Sequence, residues 1–301
     1  MNEYNLRYIM EIAKEGNITK AAQNLNISQP SLSGLLIDIE RRLGAKLFDR
    51  SFSPIKLTYA GEKFIVAAEK ILGTLHELQH QIDDMNNSLI GRLHIGCGSQ
   101  QSTFLIPAII PIMMDKYPGI HFKMYEDTWD VLERQLLNGT LDAILHGRKI
   151  SHPNIDSIVL SDDEMLLFTP ISIKPAKITK RSDRIFPCID LRAQGSIPFV
   201  LMTRKHKLRD FQDHILKESG YEPEILLETD NWLTCLNVAA SGIAATILPY
   251  VNTNLVLPQV GTFSFEKEYK RQTTFCFRKN VYFPKILQAF IEVACSAFNQ
   301  C

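Results

Sequence analysis

The sequence predicts an α/β protein in which a small helical unit precedes one long helix and a larger region of alternating strands and helices. Three observations support this fold class. Short helical segments with tight turns fill residues 1–58, apolar residues recur every three or four positions over 64–89, and short apolar runs alternate with helical patterns after residue 91. At 301 residues and 45% hydrophobic content, the chain can form about two domains of roughly 150 residues each.

The charge balance limits the classes of function. Lysine plus arginine and aspartate plus glutamate both number 33, so the formal net charge is zero and any contact with nucleic acid has to be local. The longest apolar run, 104–114, contains two prolines and is too short to span a membrane. Charged residues interrupt the N-terminus and argue against a signal peptide. We therefore expect a cytoplasmic protein without a membrane partner.

The first two helices follow from apolar spacing and turn residues. The first ends near Gly16, and its apolar positions recur at i, i+3, i+4 and i+7. These positions are Leu6, Ile9, Met10 and Ala13. The second helix is short, with Thr19 as the expected N-cap and Ala22 and Leu25 facing inward.

A third helix is expected to begin at Ser28-Gln29-Pro30 and to run to Gly44, because proline in the first turn loses no intrahelical hydrogen bond. Its inward stripe consists of Leu32, Leu36, Ile39 and Leu43. Its outer face carries Pro30, Gly34, Ile37 and Arg41, flanked by Gln29, Ser31 and Ser33. Alternating apolar and polar residues then predict a short hairpin over 50–58.

One long helix without proline is expected from Tyr59 onward. Its apolar positions are four and three residues apart in alternation: Phe64, Ala68, Ile71, Leu75, Leu78, Ile82, Met85 and Leu89. A helix that packs only on its own domain usually has a wider apolar face, so this narrow stripe favours pairing with a second chain. The expected dimerisation residues are Phe64, Ile71, Leu75, Leu78 and Ile82.

The region 91–301 alternates strands with helices, which predicts a mostly parallel sheet. A first set comprises strands 93–97, 122–125 and 141–145 with helices 103–116 and 129–138. A second set comprises strands 165–168, 199–202, 225–228 and 244–248 with helices 208–219 and one ending at 240. Strand 273–277 and the helix from Pro284 are expected to return to the first set. Two subdomains result, 91–162 with 266–301, and 163–265.

An ordered set of residues within 21–61 resembles the DNA-binding part of LysR-type transcriptional regulators. The set consists of Ala21-Ala22, Leu25, Ser28-Gln29-Pro30-Ser31-Leu32-Ser33, Glu40, Leu43-Gly44, Leu47-Phe48, Arg50, Leu57-Thr58 and Ala60-Gly61. Looser matches continue to Leu248-Pro249, so the resemblance covers almost the full length.

The resemblance implies a winged helix-turn-helix over 1–58, a coiled-coil linker helix over 59–90, and over 91–301 a two-subdomain effector domain like a periplasmic binding protein. It implies a homodimer or a dimer of dimers (a homotetramer) that binds double-stranded operator DNA. It also implies a small-molecule effector in the cleft between the subdomains. RNA polymerase is a further partner that such a regulator can have.

Contacts with DNA are expected from the start of the third helix and from nearby basic residues. Glutamine can pair with an adenine edge and serine with a base or phosphate, while arginine and lysine meet phosphates. Many relatives have a basic residue where this chain has Gly34, which predicts fewer phosphate contacts and room for close backbone approach. Helix capping and a solvated surface are the alternative for the polar residues. The expected DNA-binding residues are Gln29, Pro30, Ser31, Ser33, Gly34, Arg41, Arg50 and Lys56.

A polar run, 98–103, lies between a predicted strand and a predicted helix. Free backbone N–H groups and the positive end of the helix dipole favour an anion there, and simple helix capping is the alternative. The turns at 127–129, 146–148 and 203–206 should face the same crevice. The expected effector is a small organic anion, and the expected effector-binding residues are Ser99, Gln100, Gln101, Thr103, Thr128, His146, Thr203 and Arg204.

Other functions fit parts of the pattern. An enzyme also suits a two-lobed α/β region, but the chain has no GxSxG, P-loop or GxGxxG motif, and no His, Cys and carboxylate cluster has metal spacing. No catalytic residue, metal or cofactor is therefore expected. A transport binding protein is disfavoured by the N-terminal unit. A thiol redox sensor would use Cys97 at the crevice mouth with Cys188 as the second thiol, although the six cysteines are more simply buried or free thiols.

Overall fold

The computed structural model describes residues 1–86, 89–147, 152–175, 177–250 and 259–298. An N-terminal helical unit, one long helix and a C-terminal α/β region follow one another along the chain. The helical unit contains α1 (Glu3–Glu15), α2 (Ile18–Asn24), α3 (Gln29–Leu43), β1 (Phe48–Asp49) and β2 (Lys56–Leu57). The two strands pair antiparallel and form the predicted wing, which is confirmed.

Two local predictions in this unit are wrong. Helix α2 is capped by Asn17 rather than Thr19, since the Asn17 side chain accepts a hydrogen bond from the Lys20 N–H at 3.0 Å. Leu43 was expected on the buried stripe of α3 but is 47% exposed, because the helix ends at Gly44 beyond the edge of the core. The neighbouring Glu40 is buried instead.

The long helix α4 (Tyr59–Met85) starts at Thr58, whose Oγ1 accepts a hydrogen bond from the Gly61 N–H. It ends before Leu89, the last predicted position of the apolar stripe. The first stripe residues pack within the chain, Phe64 against the core of the helical unit and Ala68 in full burial. The exposed part of the stripe therefore runs from Ile71 to Met85.

The C-terminal region is built from eleven strands and five α-helices among the described residues. They are β3 (Gly91–Cys97), α5 (Ser99–Lys116), β4 (Ile120–Glu126), α6 (Trp129–Leu137), β5 (Ala143–His146), β6 (Ile155–Thr169), β7 (Ile178–Thr179), β8 (Cys188–Ile189), β9 (Phe199–Met202), α7 (Lys207–Glu218), β10 (Ile225–Thr229), α8 (Trp232–Ala240), β11 (Thr246–Pro249), β12 (Gly261–Phe265), β13 (Lys270–Arg278) and α9 (Lys285–Phe298).

The sheet is mixed, so the expected mostly parallel sheet is wrong. Its order is β4-β3-β5-β13-β6-β12-β8-β7, with β11 also paired to β6 and a separate parallel pair β9–β10. Strand β3 runs parallel to β4 and β5, whereas β13 runs antiparallel to both β5 and β6. The long strand β6 was predicted only in its last part, and β7, β8 and β12 were missed.

Two apolar cores lie on either side of the middle of β6. Leu160 belongs to the core that contains β3, β5, α5 and α9, so the last helix returns to the first set of strands. Leu166 belongs to the other core, with β9, α7 and α8. Among the described residues, none of the helices combines the length and the apolar character needed to cross a membrane.

One face of α4 lies against the C-terminal region. The backbones approach closely at Gly73, where an added Cβ would lie 1.9 Å from the carbonyl oxygen of Asn138. Nearby, the Asn138 side chain donates a hydrogen bond to Glu69 at 3.0 Å. At the far end of the helix, the Tyr282 hydroxyl donates to Asp84 at 2.6 Å. These contacts are spread along the helix, so α4 docks on the C-terminal region over much of its length.

Gly73→Ala should destabilise the protein by about 1 to 3 kcal/mol, because the new methyl group meets a backbone carbonyl that cannot yield without moving the helix. Gly34→Ala is the matched control, since nothing lies within 4 Å of a Cβ at that helical position. It should be neutral or stabilising by up to about 1 kcal/mol through helix propensity. Urea denaturation followed by circular dichroism measures both effects. Equal stability of the two variants would contradict the close docking of α4.

Candidate DNA-binding surface and effector cleft

The N-terminal turn of α3 presents most of the predicted DNA-binding residues on the surface. Ser28 caps the helix by accepting a hydrogen bond from the Ser31 N–H at 3.3 Å. Gln29, Pro30 and Ser31 are exposed, and Ser33 is half-buried. The Ser31 hydroxyl lies 2.7 Å from that of Ser28, so this side chain also takes part in the cap.

Further along α3, the surface around Gly34 is uncrowded, and the positive charge of Arg41 is partly balanced by Asp38. Gly34 is exposed with no neighbour near its missing Cβ, so packing does not require glycine there. The exposed Arg41 forms an ion pair with Asp38 at 2.6 Å. A phosphate that binds Arg41 therefore competes with a carboxylate on the same helix face.

Glu40 links α3 to the wing, a role that sequence reasoning missed. Its Oε1 accepts a hydrogen bond from the Leu47 N–H at 2.8 Å, and its Oε2 lies 3.2 Å from the Lys46 amine. Arg50, predicted as a free phosphate contact, lies 3.6 Å from the same oxygen. This buried carboxylate therefore fixes where two cations stand at the base of the wing, both still partly exposed to solvent.

At the tip of the wing, the Lys56 amine lies over the Phe52 ring at 4.6 Å from its centroid. Phe52 is 47% exposed. Lys56 is thus held on the outer surface, where the prediction placed it.

In the C-terminal region, the polar run 98–103 is the first turn of α5 rather than a loop before it. Gly98 occupies the N-cap position and no side chain caps the helix. The Ser102 and Thr103 hydroxyls instead donate to the Ser99 carbonyl at 2.9 and 2.8 Å. Helix capping, the alternative reading of this run, is thereby excluded, and the Thr103 hydroxyl turns back into the helix. The first N–H groups of α5 are left without a side-chain acceptor.

Arg271, which sequence reasoning missed, lies beside this helix start. From β13, its guanidinium donates hydrogen bonds to the side-chain oxygen of Gln100 and, at 2.6 Å, to the carbonyl oxygen of Gly147. A Cβ at Gly147 would collide with the guanidinium, so any larger residue there would displace the Arg271 side chain. Burial lowers the pKa of Arg271 to about 10, and the group stays positively charged at neutral pH. The buried Gln100 keeps its Nε2 without a hydrogen-bond partner.

The neighbouring strand ends contribute the other residues predicted on this side. Thr128 occupies the N-cap of α6, again without a side-chain cap, and its N–H donates to Asp127 at 2.7 Å. The His146 ring contacts the Trp129 ring at a centroid distance of 4.5 Å. Arg148, the last residue of the predicted turn, lies outside the described residues.

In the second subdomain, the predicted turn 203–206 lies beside an acidic residue, Asp230, that the sequence analysis did not include. The Thr203 hydroxyl donates a hydrogen bond to Asp230, and Lys205 forms an ion pair with the same carboxylate. Hydrogen bonds from Lys205 and then Thr203 lower the pKa of Asp230. Arg204 is exposed. The Thr203 hydroxyl, predicted to contact the effector, therefore already donates its hydrogen to Asp230.

The two subdomains touch through an aromatic contact. Phe104 of α5 packs on Trp232 at the start of α8, with ring centroids 4.7 Å apart. Both side chains are buried. The N-terminal parts of α5 and α8 thus meet where the two subdomains touch.

Cys97 and Cys188, the two thiols of the redox alternative, do not have the features of a redox switch. Cys97 is fully buried, and burial followed by the charge of Glu126 raises its pKa to about 12. Burial also raises the pKa of Cys188. A redox-sensing thiol is accessible and has a lowered pKa, so these two side chains are poorly suited to that alternative.

A cluster of histidines and one aspartate joins α4 to the C-terminal region, and sequence reasoning missed it. The Nε2 atoms of His76 and His80 both lie 3.0 Å from Oδ1 of Asp142. Burial alone would raise the pKa of Asp142, but the hydrogen bonds from the two histidines outweigh it and hold the pKa below its ordinary range. In the sequence, the signal for this cluster was the pair of histidines four residues apart on one helix. No nearby residue indicated that Asp142 would join them.

A helix-turn-helix with a wing, a long helix and a two-core α/β region together define a DNA-binding transcriptional regulator. Residues 4–62 match the bacterial regulatory helix-turn-helix protein, lysR family. Residues 86–298 match the LysR substrate binding domain. The chain belongs to the LysR family.

Curated relatives agree with this assignment. An uncharacterised HTH-type transcriptional regulator of Bacillus subtilis, YcgK, is 26% identical over 305 residues, covering 98% of this chain and 94% of the relative. A probable RuBisCO transcriptional regulator of Cyanidioschyzon merolae is 30% identical over 220 residues, covering 72% and 70%. The family and these relatives are regulators, so the alternative of an enzyme is wrong.

Solved structures show the same fold. CbnR, a LysR family transcriptional regulator, has a TM-score of 0.71 at 21% identity, covering 99% of both chains. Full-length CbnR in complex with its target DNA has a TM-score of 0.70 at 22% identity, covering 99% and 100%. An OxyR variant of Corynebacterium glutamicum with hydrogen peroxide bound has a TM-score of 0.61 at 22% identity, covering 99% and 92%.

Proposed function

We propose that this LysR-family regulator binds operator DNA as a homodimer or a dimer of dimers and responds to a small organic anion held between its two subdomains. The DNA-binding unit is assigned to residues 1–58, the linker helix to 59–90 and the effector domain to 91–301. Transcriptional control would take place in the cytoplasm, with RNA polymerase as a further partner at the promoter.

The proposal for an anion rests on the uncapped start of α5 beside Arg271. Free N–H groups at a helix N-terminus and a half-buried guanidinium both favour negative charge, and their effects add. The unpartnered Nε2 of Gln100 supplies a further donor. Asp163, opposite Arg271 on β6, accepts hydrogen bonds from Ser161 and Thr273, and its carboxylate also interacts with Arg271, so an anionic effector competes with it for the guanidinium. Ser99, Gln101, Thr128 and His146 remain candidate contacts around this site.

The proposal for a dimer rests on α4. Ile71, Leu75, Leu78 and Ile82 are between 43% and 49% exposed in the single chain, on a helix whose other face is buried. Exposed aliphatic residues at this regular spacing are typical of a helix that pairs with another helix. Phe64 contributes to the core of the helical unit instead, so the pairing surface is shorter than the sequence suggested.

Replacing Arg271 by Gln should weaken binding of the anionic effector by about 10- to 100-fold, since a hydrogen bond to a charged group contributes about 1.5 to 3 kcal/mol. Arg92→Gln is the matched control and should bind as the parent does, because Arg92 is exposed at the opposite end of β3 from the start of α5. Calorimetric titration of the full chain with a panel of metabolic acids, amines and sugars identifies the ligand. A neutral or cationic ligand, or unchanged affinity in Arg271→Gln, would refute the anion site.

The double variant Leu75→Asp with Leu78→Asp should lose both the dimer and tight operator binding, because it would bury charges in the helix pair. Thr74→Asp adds one charge at an exposed position beside the stripe and should stay dimeric. Sedimentation velocity and a DNA-binding titration give the two readouts. A monomeric double variant that still binds the operator tightly would contradict the proposed interface.

Gln29→Ala should cost on the order of 1 to 3 kcal/mol on the true operator and leave non-specific binding nearly unchanged, as expected for a side chain that reads a base edge. Lys56→Ala should weaken binding to both DNAs and flatten the salt dependence, as expected for a phosphate contact. Fluorescence anisotropy at several salt concentrations separates these effects. If Gln29→Ala loses the same binding free energy on both DNAs, Gln29 does not read a base, and its role is limited to the helix surface or the helix start.

A further inference from the structure

Three potential metal-ligand atoms converge where α4 meets the C-terminal region. The Nε2 atoms of His76 and His80 lie 3.2 Å from each other and 3.0 Å from Oδ1 of Asp142. His80 and Asp142 are buried and His76 is mostly buried. In the part of the chain that the structure describes, this is the cluster of His, Cys and carboxylate side chains whose ligand atoms lie close enough to hold one ion.

Hydrogen bonding alone leaves this triangle of atoms incomplete. An ionised carboxylate only accepts, so each imidazole must carry a hydrogen on Nε2 to bond Asp142. The two Nε2–H groups then face each other at 3.2 Å without an acceptor between them. If one Nε2 instead gives up its hydrogen to accept from the other, it loses its bond to Asp142. One of the three contacts is therefore never a hydrogen bond.

A divalent metal ion satisfies all three groups at once. In a tetrahedral zinc site with bonds of about 2.0 to 2.1 Å, neighbouring ligand atoms are about 3.3 Å apart. The observed separations of 3.0 to 3.2 Å match one face of such a tetrahedron with only a small outward movement. Two histidines at i and i+4 on a helix present their rings to the same side, which suits this geometry.

The surroundings hold the ligands in place. The other oxygen of Asp142, Oδ2, accepts a hydrogen bond from the His94 backbone N–H at 2.7 Å. The His94 ring stacks on the His76 ring at a centroid distance of 4.3 Å, and its Nδ1 is hydrogen-bonded to the Thr140 carbonyl. Such outer contacts orient metal ligands in many proteins. A small cavity lined by His80 and Asp142, together with Glu77 and Tyr282, borders the cluster.

We propose that His76, His80 and Asp142 form a binding site for a divalent transition metal ion of the zinc type. Two ligands come from the linker helix and one from the C-terminal region, so the ion ties together the helix that carries the DNA-binding unit and the domain that carries the effector cleft. Metal occupancy would then stiffen the joint between them. This site is separate from the cleft at Arg271 and independent of the effector proposed there.

The test uses the untagged full chain, stripped with a chelator and then dialysed. Calorimetric titration with Zn²⁺ should show one ion bound per chain, and the melting temperature should rise with Zn²⁺ by mass action. In the His76→Gln, His80→Gln double variant, the affinity for Zn²⁺ should fall by about 100-fold or more. Losing metal ligands costs more affinity than losing the contacts that support them. His121→Gln, which alters an exposed histidine on β4, is the matched control and should bind as the parent does.

Cobalt absorption gives a second readout, and its titration into the parent does not depend on how well any variant folds. Co²⁺ added to the stripped parent should produce the intense visible absorption of a four-coordinate site, and Zn²⁺ should displace it. Asp142→Asn, a nearly isosteric change, should reduce the intensity or shift the bands. Absence of saturable Zn²⁺ binding by the parent, or unchanged binding by the folded double variant, would overturn the proposal. Neither result depends on operator or effector binding.

Discussion

The close docking of one face of α4 on the C-terminal region is the constraint on which the rest of the structure depends. Gly73 has no side chain because a backbone carbonyl occupies that space. Polar side chains at both ends of the same face, Glu69 and Asp84, find partners across the contact. Since polar contacts fill this face, the apolar stripe is directed away from the C-terminal region and stays exposed in the single chain. One helix thus has an intramolecular polar face and an exposed apolar one.

The two strands β6 and β13 connect the subdomains, and the candidate anion site lies on one of them. Arg271 and Asp163 face each other in the register of these strands. A ligand that binds Arg271 therefore contacts a strand that passes from one subdomain to the other, rather than a surface loop. Only a difference in affinity between two subdomain arrangements can shift their populations, so this location suits the coupling of binding to movement.

In the DNA-binding unit, one buried carboxylate sets the relation between recognition helix and wing. Glu40 accepts backbone N–H groups at the start of β1 and lies near Lys46 and Arg50. Its burial is favourable only because these partners satisfy both oxygens. The cations at the wing base are therefore arranged by the fold.

The sequence by itself determined the features that arise from neighbours along the chain. Apolar spacing predicted the three short helices, the wing and the long helix, because each depends on residues three or four positions apart or in alternation. The ordered set of residues within 21–61 was sufficient for the family resemblance. Errors at this level were small, such as the cap of α2, because several residues near a helix start can serve as its cap.

Only the tertiary structure decided which distant residues meet. Arg271 and Gln100 are 171 residues apart, and His80 and Asp142 are 62 apart, so no local pattern could pair them. The direction of β13 against β6 brings Arg271 to the start of α5, and the docking of α4 brings two histidines to one aspartate. Such pairings depend on how elements pack, and packing is set by the whole core rather than by the periodicity of any one segment.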